Sequence, residues 1–448
     1  MKHSLSTALL TDMYELTMIE SAFETGRAEL PCVFEVFGRR LPGSRRYGVV
    51  AGTGRILEAL QDFTFDDDEI AYLRDAHVVG ERTLEFLKNW RFTGDIYGYA
   101  EGECYFPYSP LLTVVGTFAE CVVLETLVLS ILNYDSAVAT AASRVTIAAH
   151  DRPCLEMGAR RTHEYSAVAA ARAAVIGGFV GTSDLEAGRR YGISTIGTAA
   201  HSFTLLHGSE DEAFAAQIRT LGPSTTLLVD TYNIHDGVEK AVAAARAAGG
   251  ELGAVRIDSG DLVAQAFQVR AQLDELGATT TKITVTSDLD EYAIAALNAA
   301  PVDSYGVGTK LVTGSGHPTA QLVYKLVARK DEETDTWVGV SKRSESKASR
   351  GGLKVAGRKY DVTGRATAEL IVTVDDFEDG IAYLKEQGAR PLQVILVSGG
   401  EIQDEYMNAT ALGRAAERHR SSRAALPYNA WRLSEGEPGI PTEFVDIR

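Results

Sequence analysis

The chain has little cysteine, less positive than negative charge, and no unbroken apolar run of the length a membrane span needs. Its four cysteines, Cys32, Cys104, Cys121 and Cys154, are widely scattered with no C-x-x-C pair, which argues against a zinc site or redox couple and for core thiols in a reducing compartment. No stretch approaches about 18 uninterrupted apolar residues. The segment Met1 to Leu10 carries Lys2 but no apolar core of signal-peptide length. A cytoplasmic location without membrane contact is therefore expected. Lysine and arginine total 44 against 61 acidic residues, a net charge of -17, which argues against nucleic acid held on a general basic surface. A local basic pocket for a phosphorylated small molecule stays compatible with that charge. There is no internal repeat.

What is present is ordinary globular composition, 45% apolar and 23% charged over 448 residues, enough for two or three domains at ~100–200 residues each. From Pro153 to Val327 short extended runs alternate with helical ones. The strand candidates end near Leu155, Val180, Ile196, Val229, Ile257, Val285, Tyr305 and Leu326. Alanine-rich amphipathic segments lie between several of them, at Asp236–Ala248, Leu262–Leu276 and Leu289–Ala299. Such alternation indicates parallel βαβ units. It predicts a compact (β/α) barrel, with an open sheet as the alternative. Before it, Asp12 to Phe23 reads as an amphipathic helix with Asp12 and Glu15 at capping-box spacing. Cys32–Phe37 is strand-like, and Phe118–Asn133 is a strongly apolar helix. After Lys330, strands and helices resume at Glu369–Val374 and Gly380–Gln387. The expected domains are residues 1–135, an N-terminal α/β domain; 136–335, the barrel; and 336–448, a C-terminal region packing on the first. The fold class is thus α/β, a barrel with a flanking mixed α/β domain.

In such a barrel the active site lies in the loops after the strands. Those loops carry Glu156-Met-Gly-Ala-Arg160-Arg161-Thr-His163, Gly181-Thr-Ser-Asp184, Gly197-Thr198-Ala-Ala-His201-Ser202 and Asp230-Thr-Tyr232-Asn233. They continue with Arg256-Ile-Asp258-Ser259-Gly260-Asp261, Thr286-Ser287-Asp288 and Gly306-Val-Gly308-Thr309-Lys310. Any one of these short polar residues can be a helix cap or turn residue. Capping does not require Arg160, Arg161, His201 and Arg256 on one rim. Gly306, Gly308 and Thr309 suit a phosphate cradle, because glycine lets backbone N–H groups approach an anion. Arg160 and Arg161 suit phosphate or pyrophosphate, or equally a surface ion pair. Asp258 and Asp261, with Asp230 and Asp288, can orient ribose hydroxyls or hold magnesium. Tyr14 lies about 200° from Leu16 on the first helix, away from the stripe of Leu16, Ile19 and Phe23. It faces solvent or something outside its own domain. These residues alone imply a barrel enzyme for a phosphorylated, sugar-like substrate.

The motifs in order also resemble the nicotinate phosphoribosyltransferase family. The matching stretches are Thr11-Asp-Met-Tyr14-Glu-Leu-Thr-Met18, Phe34-Glu-Val-Phe-Gly-Arg39, Glu156–His163, Gly177–Asp184, Gly197–Phe203, Val229–Asn233, Val255–Leu262 and Tyr305–Thr309. They span about two-thirds of the chain. The resemblance implies an irregular α/β barrel of the type II phosphoribosyltransferase kind, and a head-to-tail homodimer with shared active sites. It implies an ATP-assisted activity classed as a ligase, joining nicotinate to phosphoribosyl pyrophosphate in NAD biosynthesis. It assigns His201 as the residue phosphorylated by ATP, and Arg256 with Asp258 to the catalytic centre. Tyr14 would stack on nicotinate from the neighbouring subunit, Thr198 would sit at the nicotinate site, and Gly306, Gly308 and Thr309 would hold the ribosyl phosphate. Arg160, Asp184, Ser259 and Gly260 would complete substrate binding. ATP and Mg2+ are the implied cofactors, the metal held mainly through substrate phosphates rather than by a named protein site. Asp184 is the residue type associated with the nicotinamide enzyme, so a nicotinamide phosphoribosyltransferase is the alternative within the class. A non-catalytic ligand-binding protein on the same scaffold predicts missing rim residues, and none of the principal ones is missing. An unrelated aldolase or isomerase barrel predicts a Schiff-base lysine or an acid/base pair, and Lys310 is the only lysine beside the motifs. The segment Lys342–Lys347 with Gly351, Gly352 and Lys354 reads as a phosphate-binding segment or a solvated loop.

Overall fold

Alanine-rich segments fold as their periodicity predicts, into helices at Ile234–Ala247, Leu262–Glu275 and Glu291–Ala296. Their starts follow from side-chain caps. Asn233 accepts from the Asp236 N–H, Asp261 from Ala264 and Asp290 from Tyr292 and Ala293, each satisfying an N–H that the first helical turn leaves unpaired. The computed structural model describes residues 6–342, 350–407 and 409–448. The chain divides into two compact units, one of Met1–Thr140 with His317–Arg448 and one of Ala141–Gly316.

Ala141–Gly316 is built on a six-stranded sheet of parallel neighbours in the order Gly181–Thr182, Cys154–Glu156, Ser304–Val307, Lys282–Val285, Ala254–Ile257, Thr226–Leu228. Leu227, Val255, Ile257, Ile283, Val285, Tyr305 and Val307 are all fully buried. Such near-continuous apolar strands are those of a sheet covered on both faces. The eight expected strands become six. Near Ile196 only a single bridge forms, Thr182 to Thr195, because Gly197 at φ +156° turns the chain out of any extended ladder. The run ending near Leu326 belongs to the other unit. Leu322–Lys330 pairs antiparallel with Pro31–Gly38, Phe34 facing Leu326, and the Phe34 and Tyr324 rings stack with centroids 4.9 Å apart. The parallel ladder stays open, with Gly181–Thr182 and Thr226–Leu228 as its edges.

The other unit carries a seven-stranded sheet in the order Trp337–Gly339, Leu322–Lys330, Pro31–Gly38, Leu112–Thr117, Asp95–Tyr99, Gln393–Ser398, Glu401–Ile402. A four-stranded sheet of Arg390–Pro391, Leu353–Tyr360, Ala366–Val374 and Thr442–Asp446 and a two-stranded one of Gly48–Val49 and Cys104–Tyr105 accompany it. Residues from His317 onward thus share sheets with the N-terminal region, and the boundary expected at 335 lies at Gly316 instead. The first helix is Met13–Glu24, burying Leu16, Ile19 and Phe23 as expected. The expected capping box is not formed. Asp12 makes no side-chain cap bond, because the Glu15 carboxylate is buried and accepts instead from Thr11 Oγ1 at 2.6 Å and the Thr126 N–H at 3.0 Å. The Phe118–Ala148 stretch is long and apolar enough to span a bilayer, yet 67% of its most apolar window is buried inside the fold, as in a core helix. Residues 343–349, the heart of the Lys/Ser/Gly segment, lie outside the described residues. Lys354 at its end is buried and pairs with Glu35 at 2.8 Å, so that lysine serves the core.

Candidate active site

The parallel sheet ends in loops, and these loops enclose a cleft of about 680 Å³. Binding crevices of open parallel sheets lie just beyond the strand ends. Arg160, Arg161, Thr198, Arg256, Asp258, Gly306, Gly308 and Thr309 all line it. Met157, Ser183, Ile196 and Ser287 join them without having been singled out as ligands by sequence.

Arg160 and Arg161 stand on a 3₁₀ turn, Ala159–Arg161, directly after the strand Cys154–Glu156. Both are exposed, and neither has an acidic partner among the described residues. That leaves two forked donors open to an anion. Arg256 is different, a half-buried guanidinium on the strand Ala254–Ile257. Its Nη2 donates to the Ala199 carbonyl at 2.7 Å, tying the strand to the Gly197–Ala200 loop, while Nε is buried without an acceptor among the described residues. Burial lowers its pKa from the ordinary value; Asp258 and Asp230 oppose this, and Arg160 adds to it. An arginine stays protonated regardless. A buried Nε–H without an acceptor is costly.

The glycine loop is tight. A Cβ on Gly306 would lie 2.5 Å from Thr286 Cγ2 and 2.6 Å from Met157 Sδ, so only glycine fits there. Gly308 precedes the single helical turn Thr309–Val312. Opposite, Ser287 is held at φ +141°, a backbone state that a serine rarely adopts and that collects at functional sites.

The acidic residues divide by what they already bind. Asp258 accepts from Thr286 Oγ1 at 2.6 Å. Asp230, almost fully buried, accepts from the Asp258 N–H and Ser259 Oγ, each at 2.8 Å. Ser259 is therefore held by Asp230, and Gly260 turns beside it at φ +83°. Asp184 caps the helix Leu185–Tyr191 by accepting from Ala187 at 2.8 Å. Asp184, Ser259 and Gly260 are not among the lining residues. His201 opens the helix His201–His207 one residue beyond the lining residue Ala200. Its Nδ1 lies 3.1 Å from Thr231 Oγ1 and its Nε2 3.8 Å from an Asp230 oxygen. Asp230 and Thr231 were legible as polar residues after a strand; their contact with His201 was not. Tyr14 belongs to the other unit and is 45% exposed. Partial burial and the nearby Glu125 charge push its phenol up to about 12, so the ring is neutral near pH 7. Among the described residues no group of three or more His, Cys, Asp or Glu side chains is placed to hold a metal ion.

Fold and cleft together define an α/β scaffold with an arginine-lined cleft at the C-terminal edge of a parallel sheet. Residues 9–133 match the nicotinate phosphoribosyltransferase N-terminal domain and residues 153–355 the nicotinate phosphoribosyltransferase family. Nicotinate phosphoribosyltransferase pncB1 of Mycobacterium tuberculosis is 54% identical over 445 residues, covering 98% of this chain and 95% of that one. The Bacillus subtilis nicotinate phosphoribosyltransferase is 38% identical, covering 78% and 73%. The crystal structure of human nicotinic acid phosphoribosyltransferase shares the fold, with TM-score 0.80, 23% identity and 97% of each chain covered. That of nicotinate-nucleotide pyrophosphorylase from Pyrococcus furiosus has TM-score 0.73 at 23% identity, covering 94% of this chain and 97% of that one. The chain belongs to the nicotinate phosphoribosyltransferase family, and it is an enzyme.

Proposed function

We propose that the chain joins nicotinate to phosphoribosyl pyrophosphate in NAD biosynthesis, releasing nicotinate mononucleotide and pyrophosphate, with ATP and water consumed to ADP and phosphate. The observation that carries this reading is one cleft holding three guanidinium groups and a glycine loop, with a histidine at its edge. In the reaction the pyridine nitrogen displaces pyrophosphate at the anomeric carbon. That centre develops positive charge, so positioning and charge placement matter more than a strong base. Arg160 and Arg161 receive the pyrophosphate. Gly306, Gly308 and Thr309 hold the ribosyl phosphate, and Asp258 faces the ribose with Ser259 and Gly260 shaping its loop. Arg256 pairs with the nicotinate carboxylate, the group that separates acid from amide. Thr198 borders the same site, and Asp184 supports it from the cap of the helix Leu185–Tyr191. His201 accepts the γ-phosphoryl group of ATP, which places new charge in a confined site and alters substrate affinity.

Magnesium suits this donor set as an ion bound mostly through substrate oxygens, since it keeps few protein ligands and favours phosphate and carboxylate. Asp258 and Asp288 are the cleft carboxylates available to it. When bound it neutralises pyrophosphate charge. The same reading takes the open parallel sheet as the irregular barrel of type II phosphoribosyltransferases. It places Tyr14 on the nicotinate ring of the partner subunit in a homodimer.

Product analysis tests it. Nicotinate, phosphoribosyl pyrophosphate and magnesium should give nicotinate mononucleotide, with ADP and phosphate appearing in step when ATP is added. Preferred turnover of nicotinamide, or no nucleotide from either pyridine, would reject it.

A further inference from the structure

Glu156 ends the strand Cys154–Glu156 with a side chain that is 1% exposed and reaches no part of the cleft surface. One carboxylate oxygen accepts from the Gly158 N–H, two residues ahead, and the other from the Thr182 hydroxyl on the neighbouring strand. Thr182 Oγ1 in turn accepts from the Asp184 N–H at 2.9 Å, and the Glu156 carbonyl accepts from Ser183 at 2.9 Å. One carboxylate thus ties the arginine-bearing turn to the next loop along the rim. On its far side the same turn abuts the glycine loop. A Cβ on Gly158 would lie 2.3 Å from Val312 Cγ1 and 3.2 Å from the Gly308 carbonyl, and the Met157 N–H donates to the Val307 carbonyl at 2.8 Å. Burial raises the Glu156 pKa, the bonds from Thr182 and Gly158 lower it, and the Asp184 charge raises it.

A buried carboxylate is costly unless hydrogen-bonded, and here both donors come from loops that bear substrate-facing residues. We infer that Glu156 is a positioning residue that holds the Arg160–Arg161 turn against the Gly181–Asp184 loop, and so sets affinity for the pyrophosphate-bearing substrate. The inference rests on the phosphoribosyl-transfer reading above. Arg256 lies on a different strand, so the nicotinate contact stays out of reach of this brace.

Glu156→Gln keeps the side-chain shape but turns one acceptor oxygen into a donor amide. The Gly158 N–H keeps the remaining oxygen, while the amide faces Thr182 Oγ1 and the charge-assisted bond from the hydroxyl is lost. The KM for phosphoribosyl pyrophosphate should rise about tenfold, the scale of one lost charge-assisted bond. The KM for nicotinate should change less than about twofold if only the anion turn moves, while kcat falls alongside because the same arginines receive the leaving pyrophosphate. Thr182→Val, which removes the second donor, should raise the same KM severalfold, and Thr182→Ser should restore it. These threonine variants keep the test open should the glutamine variant fold poorly. An active wild type beside a glutamine variant with unchanged KM for phosphoribosyl pyrophosphate, or with a loss confined to kcat, overturns the inference alone. A wild type inert with phosphoribosyl pyrophosphate removes the reading beneath it, and the inference falls with it.

Discussion

Nε2 of His201 stands 3.8 Å from an Asp230 carboxylate oxygen that is buried and has no hydrogen-bond donor among the described residues. The other oxygen of Asp230 is fixed by the Asp258 N–H and Ser259 hydroxyl, so the carboxylate cannot swing away without breaking two bonds. A histidine that takes up a phosphoryl group at one nitrogen carries charge on the ring, and a fixed anion beside the other nitrogen stabilises it. Asp230→Asn keeps an oxygen for the two donors and removes the charge. Acid-labile label transferred from γ-labelled ATP should fall about 10–100-fold in this variant, the scale of a charge-assisted contact, and vanish in His201→Asn. Nucleotide formation without ATP should persist in both. Equal labelling of His201→Asn would assign the phosphoryl group elsewhere.

Arg256 is expected to read the substrate's acid group. Its Nη2 is engaged with Ala199 and its Nε has no acceptor among the described residues, so the fork has spare donors. A charge-assisted bidentate contact is worth about 1.5–3 kcal/mol. Arg256→Ala should lose on the order of 10–100-fold in kcat/KM for nicotinate and narrow the preference over nicotinamide. Unchanged discrimination between the two pyridines would show that other groups read the carboxylate.

Residues whose role is set by near neighbours were legible in the sequence; those whose partners lie far along the chain were not. Val255, Ile257, Ile283 and Val285 announced their strands because apolar runs bounded by turns have few other uses. Asp261 stood directly before a predicted helix and caps it, whereas Asn233 caps a helix that begins two residues earlier than its apolar pattern. Asp12 and Glu15 had the spacing of a capping box, but Thr126, 111 residues away, supplies Glu15 with an N–H, and the tertiary bond displaces the local one. Leu326 had the pattern of a barrel strand, and only Phe34 and Tyr324 reveal that it belongs to an antiparallel sheet. Arg160, Arg256 and Gly308 stood out by residue type at strand ends. Glu156 did not, since its bond to Thr182 across 26 residues leaves no local mark.

Glu15 links stability to pH. Burial raises its carboxyl from 4.5 to about 7 against the opposing bonds from Thr11 and Thr126, with Glu125 adding to the rise. The folded state therefore binds a proton more tightly than the unfolded chain. Stability from this group is complete below pH about 4.5 and is lost as pH rises through about 7, about 3 kcal/mol in all at ~1.4 kcal/mol per unit. Glu15→Gln keeps an acceptor and cannot ionise. Urea unfolding of the wild type and variant from pH 5 to 8 should show the variant gaining relative stability as pH rises. Parallel curves would mean that Glu15 titrates alike in both states.

Tyr14 is expected to act on the neighbouring subunit's site. The helix Met13–Glu24 buries Leu16, Ile19 and Phe23, while Tyr14 is 45% exposed. An exposed ring on a helix whose apolar stripe is already buried is useful where it meets a flat ligand or a second chain. Nicotinate is flat and electron-poor, and offset stacking on a phenol is worth about 0.5–1.5 kcal/mol beyond area burial. The phenol is neutral near pH 7, being pushed up to about 12, so it brings no charge against the nicotinate carboxylate. In a two-fold dimer each chain donates what it receives. Mixing a Tyr14→Ala chain with a His201→Ala chain under exchanging conditions, each first shown to lack ATP-stimulated activity at low nicotinate, then separates the two arrangements when that activity is read. If Tyr14 serves the partner, the heterodimer has one site with both residues intact and one with neither, and activity returns towards a quarter of the wild-type level at full random exchange, because half the dimers are mixed and each mixed dimer has one good site of two. If Tyr14 serves its own subunit, every site keeps one defect and the mixture stays inactive. Mass spectrometry confirming exchange without recovered activity would place the tyrosine on its own chain's site.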